Sequence, residues 1–208
     1  MEKHRDFDKA AATWDEEPRR VKLAREVADA IIGEVQPTRE MDALDFGCGT
    51  GLLTLCLQPH LRSITGVDSS GGMLEALERK VEEQGLQNVR TAYLDVVKGE
   101  RPAGKYHLIV SCMTLHHVAD LAPLFRLFHR LLLPGGCLCV ADLDQEDGSF
   151  HDDPTGIQHF GFERAEVMGM LAEAGFTNVR AATAAIIHKS SPGRTRDYPV
   201  FLVSGQKS

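Results

Sequence analysis

Three glycines and a carboxylate lie close together in the run DFGCGTG, from Asp45 to Gly51. Glycine lets the backbone turn tightly and approach a bound molecule closely. Gly47 and Gly49 fit the first two positions of the dinucleotide pattern G-x-G-x-x-G, but the third position is Leu52. Asp45 would repel a pyrophosphate and attract an ammonium or sulfonium group. The run therefore favours a cationic ligand, and the absence of GK[ST] excludes a Walker A loop.

Two further carboxylates follow apolar segments, and their order fits a nucleoside. Asp68 lies 21 residues after Gly47, in the sequence VDSS, where a carboxylate can accept hydrogen bonds from ribose hydroxyls. Asp95 lies in LDV, where it can accept a hydrogen bond from an amine such as that of adenine, between Leu94 and Val96. Two other interpretations stay open: Asp68 could cap the next helix, and Asp95 could be an ordinary loop carboxylate.

Adjacent histidines, His116 and His117, occur in the sequence TLHHV. Imidazole titrates near neutral pH, so either could act as a general base, or could only shape the loop through backbone hydrogen bonds.

Residues 144–162 form a polar segment that is too long for a simple connection. We interpret it as a candidate substrate loop, with His117, His159 and Phe160 as candidate substrate contacts and a solvated loop as the alternative. No metal-ligand spacing is recognisable there, and no metal is expected.

Composition narrows the class of protein. The chain has 208 residues and a formal net charge of −7, which disfavours a general nucleic-acid binder because such proteins neutralise phosphates with Lys and Arg. No apolar run reaches the ~20 residues that span a bilayer, and the charged N-terminus does not look like a secretory signal. A cytoplasmic protein with reduced, mostly buried thiols is expected. The cysteines are Cys48, Cys56, Cys112, Cys137 and Cys139.

Short apolar runs alternate with helical stretches, which is typical of a parallel sheet with crossover helices. Strands are predicted at 41–46, 63–67, 89–94, 107–113 and 136–143, and helices at 52–57, 72–84, 121–132 and 163–174. An N-terminal helix over 7–33 should break near Pro18. Two β-rich runs, 179–188 and 200–204, should close the chain as an antiparallel pair separated by a loop. We predict a single domain over 1–208, with residues 1–36 as a helical lid segment.

The segments DFGCGTG, VDSS, LDV, LIVSCMTLHHV and LLLPGG together resemble the class I S-adenosylmethionine-dependent methyltransferases, in the small-molecule branch with type 11 or type 12 domains. The resemblance covers residues 7–143. It implies an α/β, doubly wound, Rossmann-like fold, whose mostly parallel seven-stranded sheet carries helices on both faces and a C-terminal antiparallel pair. It also implies S-adenosylmethionine as cofactor and S-adenosylhomocysteine as product.

The resemblance also assigns cofactor contacts. The methionine end would lie at Asp45 and the backbone near Gly47 and Gly49, the ribose at Asp68 and the adenine amine at Asp95. Trp14 belongs to a segment resembling the one that closes over the cofactor, although it could instead anchor its helix to the core. The implied contacts are Asp45, Gly47, Cys48, Gly49, Gly51, Asp68, Ser69, Met73, Leu94, Asp95, Val96, Cys112 and Trp14.

Methyl transfer from a sulfonium is an in-line displacement, in which alignment supplies much of the rate. We expect a small-molecule acceptor, because the chain leaves little room for a docking domain and is acidic. The sequence SCMT replaces the Asn/Asp-Pro-Pro-aromatic element of base-amine methylation. No nucleic-acid or membrane partner is expected, and the chain should be a monomer or homodimer. A non-catalytic S-adenosylmethionine-binding sensor or partner subunit is the alternative, with an NAD-dependent dehydrogenase less favoured.

Overall fold

A computed structural model describes residues 7–96, 99–191 and 194–208 and contains one seven-stranded sheet. The strands are β1 (Asp42–Phe46), β2 (Ser63–Asp68), β3 (Val89–Tyr93), β4 (Tyr106–Cys112), β5 (Leu132–Leu143), β6 (Phe176–Ser191) and β7 (Arg194–Lys207). Their order is β3-β2-β1-β4-β5-β7-β6. The first five strands run parallel, and β7 is antiparallel to both β5 and β6. The predicted fold class is confirmed.

Helices connect the strands and cover both faces of the sheet. They are α1 (Phe7–Ala10), α2 (Pro18–Val35), α3 (Leu52–Leu57), α4 (Gly71–Glu83), α5 (Leu121–Leu131) and α6 (Arg164–Glu173). Short 3-10 helices cover Ala11–Glu16, Gln58–His60 and Leu115–His117. The predicted break near Pro18 is confirmed, because proline begins α2 at a position where its missing N–H costs nothing. None of the described helices is long and apolar enough to cross a membrane.

Adjacent residues of the central strand β4 supply two separate apolar cores. Ile109 packs in the layer formed with Phe125 and Phe128 of α5. Val110 packs in the opposite layer, which contains Val27 and Ile31 of α2. Successive strand side chains point to opposite faces, so a strand buried on both sides reads as the continuous apolar run seen in the sequence.

The C-terminal hairpin is longer than predicted. The strands β6 and β7 continue through most of the segment interpreted as a loop, with pairs such as His188↔Asp197 and Lys189↔Arg196. This part of the hairpin is largely polar, so it lacks the apolar alternation that signals a strand. Lys189 Nζ donates to Phe150 O at 2.7 Å, so the extension braces residues 144–162.

Two other sequence predictions need correction. The strand β5 begins at Leu132, directly after α5, whereas a strand was predicted only from residue 136. Only Cys48 and Cys139 are fully buried among the five cysteines, and the other three are partly exposed. All five are free thiols, and Cys137 and Cys139 pack on one apolar cluster, as residues two apart on a strand should.

Candidate functional site

The ligand loop, defined here as residues 47–51, joins the carboxyl end of β1 to α3. Its three glycines have positive φ, at 71° for Gly47, 54° for Gly49 and 82° for Gly51. The loop is anchored to the neighbouring strand, since Gly47 N donates to Val67 O at 2.8 Å. In an open α/β sheet, ligands bind outside the carboxyl ends of the strands, so the loop lies where the sequence predicted a site.

The three glycines face different surroundings. A Cβ on Gly47 would lie 2.3 Å from Thr114 Cγ2, and one on Gly51 would lie 2.3 Å from Leu77 Cδ1. A Cβ on Gly49 would meet only Met73 Sδ, at 4.0 Å. Protein packing therefore requires glycine at the first and third positions, whereas the middle position leaves open space for a ligand.

We predict that Gly47→Ala destabilises the protein more than Gly85→Ala does. Both glycines have positive φ, but nothing lies within 4 Å of a Cβ placed on Gly85. The free energy of unfolding of the Gly85 variant should therefore fall only by the cost of placing alanine in a left-handed conformation, about 1–2 kcal/mol. The Gly47 variant should lose a further 1–3 kcal/mol, roughly, from overpacking against Thr114. Denaturant unfolding of both variants measures the difference, and equal losses would show that Thr114 moves aside freely.

Asp45 is a buried carboxylate on β1, directly before the ligand loop. It accepts a hydrogen bond from Thr54 Oγ1 of α3 at 2.6 Å. Burial raises its pKa to about 7, and the nearby charge of Asp68 adds to the increase, while the Thr54 hydrogen bond opposes it. The carboxyl group is thus poised between its neutral and charged forms near neutral pH, and a nearby cation would favour the charged form.

Asp68 ends β2 and ties the ligand loop to α4. Its carboxylate accepts hydrogen bonds from Gly49 N at 2.8 Å and Ser70 N at 2.9 Å. The helix cap is Ser70, whose hydroxyl accepts from Met73 N at 3.2 Å, so Asp68 is not the N-cap. Burial raises its pKa, although these backbone hydrogen bonds act in the opposite direction. A carboxylate has about four lone-pair sites, so acceptor capacity remains for a ligand.

The other candidate cofactor contacts follow β2 and β3. Leu94 is buried and its N–H donates to Asp68 O at 2.9 Å. Asp95 comes next and is partly exposed, and its own N–H donates to Glu100 Oε2 at 2.8 Å. Met73 is buried, Ser69 is exposed and Val96 is partly exposed. Roles of these side chains in binding stay predictions.

The chain after β4 turns back onto the ligand loop. Cys112 ends the strand, and burial raises the pKa of its thiol. Met113 then takes a left-handed conformation, with φ of 54°, which is uncommon for a residue other than glycine. The hydroxyl of Thr114 lies 3.2 Å from Gly47 O and 3.1 Å from Cys112 O. The segment that carries the paired histidines is thereby fixed beside the ligand loop.

The N-terminal cover, defined here as residues 7–16, is fixed to the site by two carboxylates that sequence reasoning missed. Asp8 accepts hydrogen bonds from Ser70 Oγ at 2.6 Å and Gly72 N at 2.9 Å. Asp15 accepts from Thr50 Oγ1 of the ligand loop at 2.6 Å, and Lys80 also donates to it. These contacts join residues 35 to 65 positions apart, which no local pattern reveals.

Trp14 is held within this N-terminal region. Phe7 packs edge-on against it at 6.0 Å between ring centroids, and the Arg20 guanidinium lies 3.8 Å above its ring. Arg20 also donates to Trp14 O at 3.0 Å, and Arg19 pairs with Glu17. Both arginines thus make contacts with residues close to them in the sequence.

The paired histidines have different environments. His116 is buried, and its Nδ1 lies 2.8 Å from Asp142 Oδ1. His117 Nδ1 lies 2.9 Å from Gly156 O, and its ring packs edge-on against Phe7 at 5.3 Å. Sequence reasoning did not single out Asp142 as a site residue. The signal it missed is the one that identified Asp45, an acidic residue near the end of an apolar strand.

Residues 144–162 pack against the segment that carries the histidines. The N–H groups of Gln158 and His159 both donate to His116 O, at 2.8 and 3.2 Å. His159 Nε2 lies 3.0 Å from Val118 O, so this ring is engaged with the backbone. His151 lies 5.0 Å from the His116 ring, whereas Phe160 is 44% exposed. Within the described ranges, no group of three or more His, Cys, Asp or Glu side chains could hold a metal ion.

Comparison with known proteins finds matches to methyltransferases. Residues 43–136 match the family described as "Methyltransferase domain". An uncharacterized methyltransferase of Schizosaccharomyces pombe is 32% identical over 66% of this chain and 54% of its own length. The ubiquinone biosynthesis O-methyltransferase of Nitrosomonas europaea is 32% identical over 59% of this chain and 51% of its own. The chain thus spans about half the length of these relatives.

Solved structures share the fold at low sequence identity. The YcgJ protein of Bacillus subtilis has a TM-score of 0.71 at 16% identity, covering 87% of this chain and 97% of its own. Phosphoethanolamine N-methyltransferase 2 of Haemonchus contortus, solved with S-adenosyl-L-methionine, has a TM-score of 0.70 at 16% identity, covering 86% and 52%. The fold, the ligand loop and the matched domain agree, and together they support a class I S-adenosylmethionine-dependent methyltransferase of the type 11/12 kind.

Proposed function

We propose that the protein transfers the methyl group of S-adenosylmethionine to a nucleophilic atom of a small-molecule acceptor. The observation that carries this proposal is the pair of acidic residues near the carboxyl ends of β1 and β2, Asp45 and Asp68, of which Asp68 accepts from the N–H of Gly49. An acidic, glycine-lined site suits a ligand that carries an ammonium group, a sulfonium group and ribose hydroxyls. The sulfonium supplies an already activated methyl group, so the protein mainly aligns the acceptor and excludes water.

Each part of the site has a separate task in this proposal. Asp45 lies next to the cationic end of the cofactor, whose positive charge stabilises the ionised form of the carboxyl group. Asp68 accepts hydrogen bonds from the ribose hydroxyls with the acceptor capacity that Gly49 and Ser70 leave. Asp95 accepts from the adenine amine. The buried side chain of Met73 borders the open space at Gly49 and lines the nucleoside part of the site.

A small acceptor is supported by charge, by the segments packed around His117 and by the names of similar proteins. The net charge of −7 disfavours a nucleic-acid substrate. The acceptor side is defined here as the surroundings of the turn that carries His116 and His117. There, His117 contacts Phe7 of the N-terminal cover and residues 144–162. One relative is named a ubiquinone biosynthesis O-methyltransferase and one structural neighbour a phosphoethanolamine N-methyltransferase. Both names support a small-molecule acceptor for this chain.

Ligand-induced stabilisation tests the cofactor assignment. S-adenosylhomocysteine at ~100 times its dissociation constant should raise the free energy of unfolding by about 2.7 kcal/mol. NAD at the same concentration should give no stabilisation, because the third glycine of the dinucleotide pattern is replaced by Leu52 and Asp45 lies two residues before the loop. Thermal denaturation with each ligand provides the measurement. Stabilisation by NAD alone would refute the proposal, and binding of S-adenosylhomocysteine without turnover of any acceptor would indicate a sensor or partner subunit.

A further inference from the structure

A histidine and a carboxylate form an almost fully buried pair at the acceptor side of the site. The side chains of His116 and Asp142 are 3% and 0% exposed, and Nδ1 lies 2.8 Å from Oδ1. A second pair of the same chemistry, His188 and Asp197, lies on the hairpin with side chains 59% and 58% exposed. Burying a titratable pair carries a desolvation cost that the surface pair does not have, so the buried pair calls for a functional explanation.

The hydrogen bonds of Asp142 determine which nitrogen of His116 carries the proton. Asp142 also accepts from Leu143 N at 2.8 Å and His116 N at 3.2 Å. Burial would raise the pKa of Asp142, but the imidazole and these two N–H groups together hold it below its usual value. An ionised carboxylate only accepts hydrogen bonds, so Nδ1 of His116 is the donor. Its neutral ring therefore carries a lone pair on Nε2.

That lone pair is where the histidine could accept a proton. Within the part of the chain that the structure describes, Nε2 of His116 makes no hydrogen bond to a protein group. The titratable groups that face the ring are Asp142 of β5, His117 of its own turn at 4.3 Å and His151 at 5.0 Å. Thr114 fixes this turn to the ligand loop through Gly47 O, so His116 and the ligand loop belong to one connected part of the structure.

We propose that His116 is the general base of methyl transfer, that Asp142 is its positioning residue, and that the acceptor atom carries a proton at neutral pH. This inference rests on the proposed function. The acceptor is then a hydroxyl or an ammonium group rather than a tertiary amine or a thioether. When the proton has left, the electron pair of the acceptor atom forms the bond to the methyl carbon, while the carbon–sulfur bond breaks and leaves its electron pair on sulfur. The proton that the acceptor loses passes to Nε2 of His116 and then to water.

Nitrogen NMR of the histidine-labelled protein tests the pair without an acceptor. In neutral His116, the expected spectrum shows a protonated Nδ1 and a bare Nε2. Asp142→Asn should abolish this preference, whereas Asp197→Asn, which alters the exposed pair, should leave the His116 signals unchanged. Wild-type protein with Nε2 protonated and Nδ1 bare would overturn the proposal, so the test holds even if the Asp142 variant fails to fold.

Turnover tests the acceptor class with a labelled methyl group and a panel of phenols, alcohols, primary amines, tertiary amines and thioethers. His116→Gln should lower turnover of the preferred acceptor by about 100-fold while retaining affinity for S-adenosylhomocysteine. Asp142→Asn should lower it comparably and move the pH dependence of turnover, and Asp197→Asn should do neither. A preferred tertiary amine or thioether, or full activity in the His116 variant, would overturn the base. If the wild type did not bind S-adenosylhomocysteine, that result would instead refute the proposed function.

Discussion

Replacing Asp68 with alanine is expected to weaken binding of S-adenosylhomocysteine by at least ~100-fold, the largest loss we expect from any single substitution in the cofactor site. The carboxylate would bind both ribose hydroxyls, and hydrogen bonds to a charged group contribute about 1.5–3 kcal/mol each. It also holds Gly49 N and Ser70 N, at 2.8 and 2.9 Å. The variant therefore loses direct ligand contacts and the link that fixes the ligand loop beside α4.

Isothermal titration of the wild type and the variant measures this effect. Asp42→Ala is a matched control, because Asp42 begins the strand β1 at the opposite edge of the sheet, where it pairs with Arg62 and Ser63. The control should lose some stability but keep its affinity for S-adenosylhomocysteine. Unchanged affinity in the Asp68 variant would remove the ribose assignment, and equal losses in both variants would indicate a general effect on folding.

Replacing Asp45 with asparagine is expected to stabilise the ligand-free protein at pH 8 and to weaken cofactor binding. The pKa of Asp45 is about 7 in the folded protein, whereas its ordinary value is 3.8. The folded state thus binds the proton more tightly than the unfolded state between these values. Its contribution to stability is fully present below pH 3.8 and is lost as the pH rises through 7. At pH 8 the loss is on the order of a few kcal/mol, and asparagine avoids it while still accepting from Thr54.

Thermal denaturation from pH 5 to pH 8 provides the measurement. The melting temperature of the variant should exceed that of the wild type by an amount that grows with pH, reaching several degrees, since ~1 kcal/mol corresponds to about 2–4 °C at this size. A constant difference would show that Asp45 does not titrate in this range. Titration in buffers of different ionisation enthalpy adds a second measurement: the wild type should release a proton on binding the cationic cofactor near pH 7, and the variant should not.

The sequence contained enough information to predict the sheet and the acidic strand ends. Apolar runs ending in carboxylates, such as those at Asp45 and Asp68, are visible locally, and the parallel topology then brings them to one edge. The partners of these residues are not visible in the same way. Asp8 meets Ser70 across 62 positions and His116 meets Asp142 across 26, and such pairs depend on the order of strands in the folded sheet.

The polar hairpin extension illustrates a second limit. Strand signals depend on burial, because alternation of apolar residues reflects one buried face. Where β6 and β7 project beyond the core, Lys189 and its neighbours are held by cross-strand pairing and by contact with residues 144–162. No apolar pattern is needed there, and the sequence therefore resembled a loop.

The N-terminal cover has a consequence for the rate of ligand exchange. Asp8 is fixed to the first turn of α4 and Asp15 to Thr50 of the ligand loop, while Phe7 reaches His117 on the acceptor side. Among the described residues, the deeply buried part of the N-terminal region begins only with α2. We therefore expect residues 7–16 to be a unit of lower local stability than the core. We expect their opening to set the residence time of a bound cofactor, so that substitutions at Asp8 and Asp15 change dissociation rates before they change the chemistry.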